Sequence, residues 1–229
     1  MRIPLRSLAL PMMLAVTAVA GPKVHAGPVW ALTFIEVRIE ARGHAASTLW
    51  QQAQGLREQA APPAQIALLQ EWSRPERFAL LECEEQAASS GGGREVYPAT
   101  ESLMEDLTAP PDRRRNREFG QVAVVTCPNA DEHANVYVIA HVDIGAPDHV
   151  RAEAALRQLA TAARQSAGNV RFDIWQQIDH ANHFNLISGW ISESQFYAFR
   201  ASRMARDFRQ TIGPLLDSPY DERLLRRLY

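Results

Sequence analysis

His180 and His183 stand three residues apart in RFDIWQQIDHANHFNLISGW, residues 171–190, between two runs that read as β-strands. Two imidazoles at that spacing first raise metal binding. The nearest further candidate ligand in this half is His141, and no set of Asp, Glu and His follows the order of a known metal motif. The bland reading, a polar turn that reverses the chain with no metal in it, is preferred. Imidazole also titrates near neutral pH, which makes His141 and His183 candidate catalytic bases. Asn182 and Asn185 flank His183 and can orient an oxygen by hydrogen bonding. Phe172, Trp175, Phe184, Trp190, Phe196 and Phe199 lie in and just after the same stretch. They can line an apolar pocket, although aromatic side chains on strands and helices more often fill a core.

Other chemistries lack their residues. No G-x-S-x-G occurs, and no Cys/His pair sits in a recognisable signature, which disfavours a hydrolase. No G-x-G-x-x-G follows a strand, so no dinucleotide or flavin cofactor is expected. Lys23 is the one lysine; the other 23 basic residues are arginine. If Lys23 leaves with a leader peptide, Schiff-base catalysis and Walker-type phosphate binding leave with it.

The elements that must position these residues occur twice. Sliding QIALLQEWSRPERFALLECE, residues 65–84, forward by 106 positions sets Ile66 on Phe172, Leu68 on Ile174, Gln70 on Gln176, Phe78 on Phe184 and Leu80 on Leu186, with no gap. Ahead of each hairpin stands an apolar strand pattern, 29–39 and 135–144, and then a helical pattern, 44–60 and 149–167. Asp148 is placed to cap the second helix and Gly168 to end it. A short helix is expected over 98–107. Ser192 and Gln195 have capping-box spacing at the start of one helix carrying Phe196, Phe199, Met204, Phe208 and Ile212, and a kink near Ser202 would change which of these share a face. Each half closes on a short strand or tail, 109–119 and 215–228. The order strand, helix, two strands, helix, strand is that of a ferredoxin-like split βαβ unit. Such a unit leaves one sheet face bare, and two copies can cover each other. The expected fold class is α+β: two ferredoxin-like halves, 29–120 and 135–229, joined by a linker over 121–134 in a pseudo-dimeric α/β barrel. A chain that supplies both halves needs no partner copy, so size-exclusion with light scattering should report a monomer.

A net charge of -2 gives no basic face for nucleic acid. The arginine run RRRNR, residues 113–117, reads as a solvated closing segment, because the second half has its own arginines there. Residues 1–26 read as a signal peptide: Arg2 and Arg6, an apolar run from Leu8 to Ala20, and small residues at Val24 and Ala26 before a cut after Ala26. The alternative is an uncleaved anchor, and no later segment is apolar enough to span a bilayer. The expected location is periplasmic or secreted, with no stable membrane insertion after cleavage. There Cys83 and Cys127 either pair, which would stabilise by roughly 4 kcal/mol through loop closure, or stay as two separated thiols.

VYVIAHVDI, SAGNVRFDIWQQ, NHFNLISGW and PYDERLLRRL together resemble the antibiotic-biosynthesis monooxygenase superfamily, in particular its quinol-monooxygenase-like members. The resemblance covers residues 135–229 and extends more weakly to 29–120 through RPERFALLE. It implies small ferredoxin-like domains assembled into α/β barrels, and for some members oxygenation of phenolic or quinol substrates without a cofactor. The partners implied are a small aromatic substrate and molecular oxygen. The family usually has a Glu two residues before the strand Trp, a His nine residues after it and a second His further along the helix. Here Trp190 is present, but those places hold Ser188, Phe199 and Met204. The first half has Glu82 in the Glu place and Glu84 in the Trp place. With this chemistry in view, His141, His183, Asn182 and Asn185 are the candidate catalytic residues. Trp175, Trp190, Phe172 and Phe199 are the candidate substrate-binding residues. The competing reading is a binding protein of the same fold whose catalytic set has eroded.

Overall fold

The computed structural model describes residues 28–59, 66–84, 102–119 and 134–228. The leader over 1–26, Cys127 and nearly all of the 121–134 linker lie outside them.

The hairpin repeat is exact in register. Strand β3 (Arg77–Glu84) moves onto β7 (His183–Trp190) by the same 106 positions seen in the sequence. The other strands are β1 (Val29–Glu36), β2 (Ile66–Glu71), β4 (Asp112–Glu118), β5 (Val136–Asp143), β6 (Asn169–Gln177) and β8 (Asp221–Arg227). The helices are α1 (Arg42–Gln59), α2 (His149–Arg164), α3 (Glu193–Arg200) and α4 (Arg203–Ile212). Within each half the strands run in one spatial order, β4-β1-β3-β2 and β8-β5-β7-β6. The halves then join edge to edge, β2 to β8 and β4 to β6, and the eight strands close into a barrel. Closure removes the open sheet edges that would otherwise invite pairing with another chain.

Both faces of the sheet are therefore covered. Trp30, Leu32, Ala79, Leu81, Tyr137, Ile139, Trp175, Ile187 and Leu225 come from both halves and pack together inside the barrel. The opposite face of the second half packs on α2, α3 and α4 through Val138, Ala140, Val142, Phe172, Phe184, Leu186 and Trp190. A smaller outer core of Ile35, Ala45, Leu49, Leu68, Phe78 and Leu103 seats α1 on the first half. Strands buried on two faces read as nearly continuous apolar runs, and the first five residues of both β1 and β5 are buried without interruption.

Three local expectations change. Residues 102–106 form turns, where a helix was expected. Asp106 N–H donates to Leu103 O, and Arg38 N–H then takes Asp106 O, so the chain leaves to pair Leu107 with Val37. Asp148 makes no side-chain cap, because Ala146–Asp148 already forms a 3-10 turn leading into α2. The helix after β7 is two helices: Ser192 caps α3, and Ser202 caps α4 by accepting from Ala205 N–H at 3.2 Å. Gly168 follows α2 with φ of +77°, and a Cβ there would lie 2.1 Å from the Gln195 side chain. Only glycine adopts that backbone at little cost and also leaves room for α3 to dock.

Candidate functional site

The strand alternation sends the expected site residues to opposite faces of one sheet. His141 on β5 and His183 and Asn185 on β7 face the barrel interior with Tyr137, Ile139 and Ile187. Phe172, Phe184, Leu186, Ser188 and Trp190 face the helices. His141 and His183 are neighbours, their ring centroids 5.5 Å apart, but neither shares a space with Trp190 or Phe199.

On the barrel face the polar residues form two hydrogen-bonded pairs that touch, Arg114 with His141 and Asn185 with Asn116. Arg114 donates to His141 Nδ1 at 3.1 Å, and Asn185 Oδ1 lies 3.4 Å from the same nitrogen. A guanidinium can only donate, so Nδ1 accepts and the ring proton sits on Nε2; Asn185 Oδ1 is then a dipole contact. Burial, followed by the Arg114 charge, lowers the His141 pKa and keeps the ring neutral. Asn185 Nδ2 donates to Asn116 Oδ1 at 2.9 Å, and Asn116 donates to Trp30 O at 3.2 Å. Both asparagines are fully buried. These pairs satisfy buried polar groups, and each member is committed to its neighbour.

His183 pairs with Asp143 at 3.1 Å, and Asn182 donates to Asp143 Oδ1 and to Ile144 O at 3.2 Å each. His180 stacks on His183 with centroids 5.0 Å apart. The turn is therefore built by hydrogen bonds of the kind a chain reversal needs. The pair is itself duplicated: Arg77 and Glu36, 3.0 Å apart, occupy the matching places in the first half. Among the described residues no group of three or more His, Cys, Asp or Glu could hold a metal ion. Trp175, fully buried, stacks on Trp30 at 4.7 Å inside the barrel.

The helix face does carry an opening. It is a narrow cleft between β5, β7, β8 and α2–α4. Phe172, Phe196, Phe199 and Phe208 form its apolar wall, and Ser188, Tyr220, Glu222, Arg200 and Arg209 its polar part. Trp190 backs the wall, stacked on Phe199 at 5.1 Å, and its indole N–H donates to Ser188 Oγ at 3.0 Å. Arg200 Nε donates to Glu222 Oε1 at 2.7 Å. Burial, and then the Glu222 carboxylate beside it, raises the Tyr220 pKa far above the ordinary phenol range, so Tyr220 stays a neutral phenol. The cleft thus joins an aromatic wall to a carboxylate, a phenol, a hydroxyl and two guanidiniums. Of the expected residues it holds Phe172 and Phe199, with Trp190 behind them.

Tyr220, Glu222, Arg200 and Arg209 were not singled out from the sequence. The signal for two of them was present: PYDERLLRRL pairs with β5, so Glu222 falls opposite Ala140 on the helix face. In the first half the corresponding places hold Glu82, buried and ion-paired with Arg113. A second, roomier opening lies around Phe34, Arg77, Asp112 and Arg223. Its charges are already matched, Arg77 with Glu36, and Arg223 with Asp221 at 2.6 Å.

Cys83 is disulfide-bonded; the chain's other cysteine, Cys127, lies outside the described residues. No helix among the described residues is long and apolar enough to cross a membrane.

Residues 135–211 match the sequence profile of the family described as antibiotic biosynthesis monooxygenase. Solved structures resemble the whole two-part barrel. An anthrone oxidase-like protein is 9% identical with a TM-score of 0.64, covering 88% of this chain and 92% of its own. A candidate monooxygenase from Lactobacillus acidophilus NCFM is 12% identical with a TM-score of 0.61, covering 88% and 94%. A major regulator of staphylococcal pathogenesis is 11% identical with a TM-score of 0.54, covering 87% and 99%. At these identities the likeness shows the fold, and proteins of different kinds share it. Among curated proteins none matches this sequence.

Proposed function

We propose that the protein is an exported monooxygenase of small phenolic or quinol-type aromatics, and that the reaction takes place in the second-half cleft without a metal or flavin. The observation that carries this reading is the joining of an aromatic wall to the Glu222–Tyr220–Ser188 polar set, with most of that wall inside residues 135–211, which match the antibiotic biosynthesis monooxygenase profile. An aromatic ring lies against Phe172, Phe199 and Phe208. Glu222 takes the phenolic proton, while Ser188 and neutral Tyr220 hydrogen-bond the resulting anion. The anion passes an electron to oxygen, and the radical pair joins at a ring carbon bearing hydrogen. Loss of water from that hydroperoxide leaves one oxygen atom on the product as a carbonyl, so the substrate supplies all the electrons.

Oxygen consumption by the purified, metal-stripped protein with a panel of hydroquinones tests the reading. Consumption that saturates with substrate is the expected result. A second reading, a binding protein of the same fold, is favoured by Ser188 and Phe199 standing where the resembled family usually has Glu and His. Tight binding of a hydroquinone with no oxygen uptake would decide for it.

Export rests on the leader-like residues 1–26 and on the disulfide at Cys83, since disulfides persist in oxidising compartments. Recovery of a protein beginning at Gly27 from the periplasm or medium is the expected outcome. A cytoplasmic chain that retains residues 1–26 would refute it.

A further inference from the structure

We infer that the cleft selects aromatic substrates carrying a carboxylate, and that Arg209 is the residue that selects them. The inference rests on the cleft being the substrate site, as proposed above.

The charges around the opening do not balance. Arg200 is neutralised by Glu222, its Nε 2.7 Å from the carboxylate. Tyr220 remains a neutral phenol. Arg209 remains. It is half-buried in the last turn of α4 and lines the same cleft. One of its terminal nitrogens, Nη2, donates to Arg200 O at 2.9 Å, the carbonyl at the end of α3. No carboxylate among the described residues lies within ion-pair distance of Arg209, and Nε and Nη1 have no partner there. Its remaining donors are free to meet an anion that enters the cleft. Its fork geometry suits a carboxylate, which it can hold by two parallel hydrogen bonds.

The neighbouring residues narrow the ligand. Phe172, Phe196, Phe199 and Phe208 present an aromatic wall on which a ring can pack. A ligand with one ring and one carboxylate fills the apolar wall and cancels the single excess charge. A neutral quinol fills the wall and leaves Arg209 as it was. Arg209 is in this sense a specificity residue, and Glu222 retains the proton-accepting part.

Isothermal titration with 2,5-dihydroxybenzoate and with 2,5-dihydroxybenzamide separates the two cases, since they differ in charge and hardly in shape. The purified protein is expected to bind the acid at least about tenfold more tightly than the amide, the scale of one charge-assisted hydrogen-bonded pair. Arg209→Gln should remove that preference while leaving amide binding within about twofold, and Arg209→Lys should keep part of it. Unfolding curves check that the variants remain folded, and an unfolded Arg209→Gln passes the test to Arg209→Lys and to the wild-type preference. Equal binding of acid and amide by the wild type overturns the inference, as does an unchanged preference in a folded Arg209→Gln. Oxygen uptake with neutral quinols but no acid preference sinks the selection alone. Acid preference without oxygen uptake sinks the oxygenation alone. If neither compound binds at millimolar concentration, both are overturned.

Discussion

Replacing Glu222 with Gln is expected to lower kcat for hydroquinone oxygenation by about 10² to 10⁴-fold, the usual contribution of a positioned base. Gln keeps the size and a hydrogen-bonding oxygen but cannot take a proton. KM should change little, because the ring still meets the wall of Phe172, Phe199 and Phe208. Stability should change by less than about 1 kcal/mol, because the partner guanidinium of Arg200 is half exposed. Steady-state oxygen uptake, with a urea unfolding curve on the same sample, checks both parts. An unaltered kcat would remove Glu222 from the chemistry and point to a solvent base.

The second large effect concerns stability. Trp175→Ala should destabilise the fold by about 3 to 5 kcal/mol, the range for a large aromatic truncated in a core. Trp175 is fully buried, stacks on Trp30 at 4.7 Å and has the Arg171 guanidinium 5.7 Å from its ring. Trp175→Phe should cost much less. It keeps a ring on Trp30 and also removes a buried indole N–H that has no hydrogen-bond partner. Oxygen uptake by Trp175→Phe should match the wild type, since Trp175 faces the barrel interior and the cleft lies on the other side of β6. A folded Trp175→Phe protein with lost activity would return Trp175 to the substrate site.

The repeat and the barrel were legible, because each rests on local spacing: a gapless hairpin shift and alternating strands. The assignment of side chains to faces was not. In a half-exposed sheet the polar residues mark the outside. Here both faces are buried, so His141 and Ala140 sit side by side with nothing in the pattern to say which faces the helices. Phe172 and Trp175 read alike in sequence and, three positions apart, point opposite ways. The hydrogen-bonding histidines drew attention to the barrel face, where Arg114, Asn185 and Asn116 already use their polar atoms. Glu222 looked like one charge in an acidic and basic run, and its place emerged only from the pairing of β8 with β5. Asp148 shows the same limit on a smaller scale: a good capping residue type, with a 3-10 turn already occupying the place where it would act.

The edge-to-edge joining of the halves also governs when the protein can finish folding. Gln70 on β2 meets Arg226 on β8 across 156 positions of sequence. Contacts this remote in sequence form slowly, because the intervening chain must surrender its freedom before the pairing returns any stability. Until β8 arrives, β2 and β5 each keep an open edge and the barrel interior stays wet. The seam thus delays completion of the native state, and a chain passed through a membrane in extended form would have that interval in which to cross.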